Sequence, residues 1–124
     1  MVNQILTHEQ IQHKIKRIAY QIYEANVDES EIVIAGIEGG GLKFAKKLST
    51  ILRKITDAEI TLCTVNMDKR NPLDCGVSTS LKKDAYQNKS IILVDDVLNS
   101  GTTLIYGVHH FLKTPVKQLK TAVL

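Results

Sequence analysis

Between residues 90 and 106 the chain reads SIILVDDVLNSGTTLIY, and this stretch restricts the fold more than any other. Ile91 to Val94 are consecutive apolar residues, as in a strand buried on both faces of a parallel sheet. Asp95 and Asp96 follow without a break. Burying an unpaired carboxylate costs several kcal/mol, roughly, so the strand must end at the acid pair. That places the pair at the carboxyl edge of the sheet, where open α/β sheets bind ligands. Ser100, Gly101, Thr102 and Thr103 come next and open a helical pattern. Backbone N–H groups and hydroxyls at a helix start form an anion site by geometry and by dipole. An acid pair beside such a cradle suits a sugar phosphate, with its diol on the carboxylates and its phosphate in the loop.

The remaining segments alternate between helical and strand patterns. Residues 7–25 are predicted to be helical: Thr7 with Gln10 fits a capping box, and Ile11, Ile15, Ile18, Ala19 and Ile22 recur at helical spacing. His13, Lys14, Lys16 and Arg17 lie off that stripe and read as a solvated face, or less simply as an RNA contact. Asn26 to Ser30 is a turn, and Ile32 to Ala35 a short buried strand. Gly36, Ile37, Glu38, Gly39, Gly40 and Gly41 then precede a second helix marked by Leu42, Ala45, Leu48, Leu52 and Ile55.

Three successive glycines between strand and helix allow close backbone approach to an anion, or simply make a tight turn. The motif matches neither a Walker loop nor the dinucleotide fingerprint. Lys43, Lys46, Lys47, Arg53 and Lys54 decorate the helix as an exposed face. Ala58 to Val65 reads as a strand, whereas residues 66–89 lack periodicity and read as a long connection or hairpin at the sheet edge. Loops of that length are usually functional lids or disordered. Lys69 and Arg70 could fold over a polyphosphate there, or merely keep the loop soluble.

Leu104, Ile105, Val108, Phe111 and Leu112 give a third amphipathic helix, stopped before Pro115. His109 and His110 on it point about 100° apart, so they cannot clamp one metal and read as helix-surface histidines. A last apolar strand covers Leu119 to Leu124. Because it reaches the terminus without a polar turn, the natural protein is expected to continue beyond Leu124.

At 124 residues the chain is expected to form one domain. Sixteen basic against 13 acidic residues give +3, compatible with phosphorylated ligands without arguing for nucleic acid. Cys63 and Cys75 lack metal-ligand spacing, and no early apolar stretch resembles a signal peptide or membrane span. The expectation is a cytoplasmic protein with reduced thiols and no membrane partner.

The segment DDVLNSGTT resembles the phosphoribosyl-diphosphate signature of type I phosphoribosyltransferases. ILTHEQIQHKIKRIAYQIYEAN and IAGIEGGGLKFAKKL resemble, in order and spacing, the bacterial pyrimidine-operon attenuator and uracil phosphoribosyltransferase family. The resemblance implies an α/β fold, a parallel sheet with helices on both faces, a flexible loop and a base-selecting hood. It implies transfer of the phosphoribosyl group from phosphoribosyl diphosphate to a nucleobase, uracil foremost, with release of pyrophosphate through an oxocarbenium-like state. Magnesium (Mg2+) would be bound through the substrate, and the protein would be a homo-oligomer. On matching positions, Asp95 and Asp96 would hold the ribose hydroxyls, in unequal roles because strand side chains alternate. Asn99, Ser100, Gly101, Thr102 and Thr103 would cradle the 5′-phosphate, Glu38 to Gly41 would form the pyrophosphate loop, and Lys69 and Arg70 would belong to the flexible loop.

Two positions depart from the family pattern. The pyrophosphate loop of the pyrimidine family carries basic residues where this chain has Glu38, Gly39 and Gly40. At roughly 4 Å and an effective dielectric near 20, a carboxylate and a pyrophosphate oxygen repel by about 4 kcal/mol per unit charge. Glu38 must therefore point away, bind magnesium, or mark a weakened site. Asn99 stands where purine-specific relatives often have an aspartate, which disfavours hypoxanthine or guanine. The charge-poor loop motivates an alternative: a non-catalytic phosphoribosyl or nucleotide sensor that binds RNA or protein. A receiver-like signalling domain ranks below both, since it leaves SGTT unexplained.

Overall fold

Thr7 starts the first helix as its spacing to Gln10 predicts: the Gln10 N–H donates to Thr7 Oγ1 at 3.1 Å, and the Thr7 N–H donates to Gln10 Oε1 at 2.9 Å. The computed structural model describes residues 7–67, 77–95 and 102–123. In chain order its elements are α1 (His8–Ala25), β1 (Glu31–Ile37), α2 (Gly40–Ile55), β2 (Glu59–Met67), β3 (Val77–Thr79), α3 (Lys83–Tyr86), β4 (Ser90–Asp95), α4 (Thr102–Leu112) and β5 (Gln118–Val123).

The strands form one sheet in the order β3-β2-β1-β4-β5. β1, β2, β4 and β5 run parallel, and the short edge strand β3 runs antiparallel to β2. The register sets Ile34 beside Leu62 on one side and Ile92 on the other. β1 and β4 are buried almost throughout, as their continuous apolar runs require of strands covered on both faces.

Alternation divides the sheet's side chains between two cores. Ile32, Ile34, Ile92, Val94 and Ala122 pack with Ile15, Ala19 and Ile22 of α1 and with Phe44, Ala45, Leu48 and Leu52 of α2. Val33, Ala35, Ile37, Cys63, Val65, Ile91 and Leu93 face the other way, toward Phe111 of α4 and Tyr86 of α3. Each fully buried aliphatic side chain contributes about 1.5–3 kcal/mol by leaving water. The predicted stripe on α1 is the one that is buried, and His13, Lys14, Lys16 and Arg17 are exposed.

Three expectations need correction. The first strand does not stop at Ala35 but runs to Ile37, and the Glu38 N–H extends its ladder to the Val65 carbonyl at 2.9 Å. The glycines are not all a linker, because Gly40 and Gly41 already belong to α2. Tertiary packing of this turn outweighs the poor helix propensity of glycine. Within 66–89, the hairpin at the sheet edge is present as β2 and β3, but α3 follows it, and Tyr86 is buried edge-on against Phe111 at 5.1 Å between ring centroids. One aromatic in a polar segment gives no periodicity, so local pattern does not reveal that helix. Residues Lys69, Arg70 and Cys75 lie outside the described residues.

Candidate functional site at the sheet switch point

β1, β2, β4 and β5 end at the same edge of the sheet. From β1 the chain moves to β2 on one side, and it later places β4 on the other side. The carboxyl ends of β1 and β4 therefore flank the topological switch point, where the crevices of open α/β sheets lie. The loop after β1 carries Glu38 and Gly39, and β4 ends at Asp95.

The start of α2 meets the end of β4 through glycine. A Cβ placed on Gly41 would lie 2.8 Å from the Val94 carbonyl oxygen, 3.2 Å from Asp95 Cα and 3.3 Å from Asp95 Oδ1. The first turn of α2 thus rests directly on the end of β4. Gly36 lets the opposite flank of the turn close, since a Cβ there would lie 2.7 Å from Ala45 Cβ. Gly39, the N-cap residue of α2, has φ 96° and ψ −132°, a conformation open in practice only to glycine. It makes no side-chain cap, and the first turn of α2 holds no acidic residue. The positive end of the helix dipole is therefore not offset by a carboxylate within its own first turn. Glu38 and Lys43 are both exposed at this edge.

Of the residues singled out in the sequence, Gly41 touches Asp95, and Glu38, Gly39 and Gly40 lie in the turn that leads into Gly41. Thr102 and Thr103 head α4, while Asp96, Asn99, Ser100 and Gly101 lie outside the described residues. Gly36 lies in β1, and neither its close approach to Ala45 nor the contact of Gly41 with Asp95 has a signature in local sequence pattern. Triple glycine was the available signal, but the partner it approaches depends on strand order. Cys63 takes no part: it is fully buried in β2, and burial pushes its thiol up, which keeps it protonated and unreactive at neutral pH. His109 is exposed as expected, but His110 is half-buried against Phe111 at 5.6 Å between ring centroids.

Comparison with known proteins bears on this arrangement. The model of the phosphoribosyl transferase domain matches residues 1–124. This chain belongs to the phosphoribosyl transferase domain family. It is similar to Bifunctional protein PyrR of Limosilactobacillus reuteri subsp. reuteri (strain JCM 1112), with 32% identity over 112 residues, covering 84% of this chain and 63% of the relative. Bifunctional protein PyrR of Streptococcus pneumoniae (strain CGSP14) is 32% identical over 95 residues, covering 76% of this chain and 55% of the relative. The chain thus spans less than two thirds of the length of these curated relatives.

Among solved structures of phosphoribosyltransferases, a hypoxanthine-guanine phosphoribosyltransferase from Bacillus anthracis superposes with TM-score 0.77 and 26% identity, over 100% of this chain and 71% of that one. The hypoxanthine phosphoribosyltransferase of Trypanosoma cruzi gives TM-score 0.78 at 20% identity, over 99% of this chain and 71% of that one, a likeness of fold. The mainly parallel sheet with helices on both faces is therefore the architecture of type I phosphoribosyltransferases. Among the described residues no helix is long and apolar enough to cross a membrane.

Proposed function

We propose that the protein transfers the 5-phosphoribosyl group from phosphoribosyl diphosphate to a nucleobase and releases pyrophosphate. The observation that carries this reading is the seating of Gly41 on Val94 and Asp95, which joins the glycine loop to the acidic strand end in a member of the phosphoribosyl transferase domain family. In this reading Asp95 holds the ribose hydroxyls and stabilises the positive charge that develops on the sugar, and Asp96 has a secondary role. Asn99 to Thr103 receive the 5′-phosphate. Glu38 to Gly41 lie beside the pyrophosphate, with Lys69 and Arg70 in a loop that closes over it.

Magnesium fits as a partner of the ligand. Among the described residues no three His, Cys, Asp or Glu side chains group as a metal site. The ribose hydroxyls and the diphosphate would supply its hard oxygens, the donor chemistry that magnesium favours, with Asp95 holding the hydroxyls. Bound there, it would neutralise charge on the departing pyrophosphate.

Uracil is the base we favour, on the resemblance of ILTHEQIQHKIKRIAYQIYEAN and IAGIEGGGLKFAKKL to the bacterial pyrimidine-operon attenuator and uracil phosphoribosyltransferase family. One feature supports a second reading. Glu38, Gly39 and Gly40 offer no basic side chain to pyrophosphate, as suits a regulator that binds phosphoribosyl ligands without turnover and uses RNA or a protein as its further partner. Titration calorimetry of the full-length protein with phosphoribosyl diphosphate and magnesium, followed by pyrophosphate release across a panel of bases, separates the two. Binding with release supports the transferase. Binding without release from any base leaves the sensor, and absence of binding removes both.

A further inference from the structure

We infer that Gly41 is a positioning residue that sets the separation between the two halves of the site. It is buried in the first turn of α2, and a single methyl group there would meet a backbone carbonyl at 2.8 Å and a backbone Cα at 3.2 Å. Backbone atoms of a strand paired on both sides, as β4 is by β1 and β5, cannot swing aside as a side-chain tip can. Gly39 needs glycine for its positive φ and has open space around its Cβ position, whereas the constraint at Gly41 is spatial. The missing side chain therefore keeps α2 and its glycine loop in register with Asp95.

The inference rests on the phosphoribosyl reading above and assigns Gly41 a specific part in it. A ligand that spans both halves feels their separation. A ligand confined to the ribose-phosphate half feels it less, because in the reading above it reaches Asp95 and the segment that follows Asp95 in the chain, but not the turn that precedes α2. Gly107 is the control on the other face of the same strand. A Cβ there would lie 2.9 Å from Leu93 Cδ2, a side-chain end that can move.

The test is titration of wild type, Gly41→Ala and Gly107→Ala with magnesium plus phosphoribosyl diphosphate, and separately with ribose 5-phosphate. The expected loss across the gap is about tenfold in affinity, or about 1.4 kcal/mol. Gly41→Ala is expected to lose that factor for phosphoribosyl diphosphate and only part of it for ribose 5-phosphate, through the 3.3 Å approach to Asp95 Oδ1; Gly107→Ala should change neither. Equal losses for both ligands, or none, would overturn the positioning role. Hydrogen exchange on the wild-type protein supplies a second measurement should Gly41→Ala fold poorly. Magnesium pyrophosphate should slow exchange at the Val94 and Asp95 amides, and unchanged exchange with the ligand bound also overturns the inference. A wild-type protein that binds neither phosphoribosyl diphosphate nor pyrophosphate overturns the functional reading itself, and the positioning role with it.

Discussion

Glu38 is the residue at which family membership and local chemistry disagree most. Its backbone continues the β1 ladder to Val65, while its side chain is exposed at the edge where pyrophosphate is proposed to sit. Two unit charges about 4 Å apart interact by about 1 kcal/mol in water and about 4 kcal/mol at an effective dielectric of 20. Exposure puts Glu38 near the lower figure. Glu38→Gln should therefore tighten phosphoribosyl diphosphate binding about fivefold at low salt, since 1.4 kcal/mol is a factor of ten. The gain should shrink as ionic strength rises toward about 1 M, where the screening length falls to about 3 Å. Calorimetric titration at two salt concentrations checks both statements. An affinity that ignores the substitution at low salt would place the carboxylate outside the field of the diphosphate.

Among the elements, α1 and α4 depend on polar groups that lie well away from the glycine loop. Asn26, the buried C-cap of α1, donates from Nδ2 to the Ile22 carbonyl at 2.8 Å. Its Oδ1 accepts from Ser90 Oγ at 2.5 Å and from Gln118 Nε2 at 2.6 Å, which ties the helix to the starts of β4 and β5. Asn26→Ala leaves buried partners short of a hydrogen bond and should cost about 1–3 kcal/mol in urea unfolding. Phosphoribosyl binding by the folded fraction should persist, because the site is at the opposite end of the strands. On α4, burial lowers the pKa of His110 from 6.5, with Lys113 and His109 adding to the effect. Its Nε2 is buried without a hydrogen-bond partner among the described residues. The unfolded chain thus takes up this proton before the folded one does. The His110 contribution should leave stability unaffected well above pH 6.5 and reduce it progressively as pH falls from there to the lowered folded value. His110→Leu should flatten that part of the stability-against-pH curve, and a curve of unchanged slope would show that another group titrates.

At the scale of the molecule, what could be read in advance was whatever depends on neighbours in sequence. The capping box at Thr7, the stripe through Ile15, Ala19 and Ile22, and the burial of Ile91 to Val94 all follow from local pattern. The membership of Gly40 and Gly41 in α2, the Tyr86–Phe111 contact and the Asn26–Ser90–Gln118 network do not, because they require strand order and register. The same division applies to the site. Asp95 was legible as the end of an apolar run, while its contact with Gly41 appears only once β4 lies beside β1. A property of the assembled site therefore tests the proposal best. A ligand that binds only the folded state at a hundred times its dissociation constant adds about 2.7 kcal/mol of stability. For a chain of this length that should raise the melting temperature by roughly 10 °C, a value interpolated between the smaller and larger domains of the usual scaling. Phosphoribosyl diphosphate with magnesium should produce that rise in the wild-type protein. Asp95→Asn, measured against its own ligand-free melting temperature, should lose most of it at the same ligand concentration. A full shift in the variant would mean that the ligand gains its binding energy elsewhere and that the carboxylate at the end of β4 does not hold the ribose.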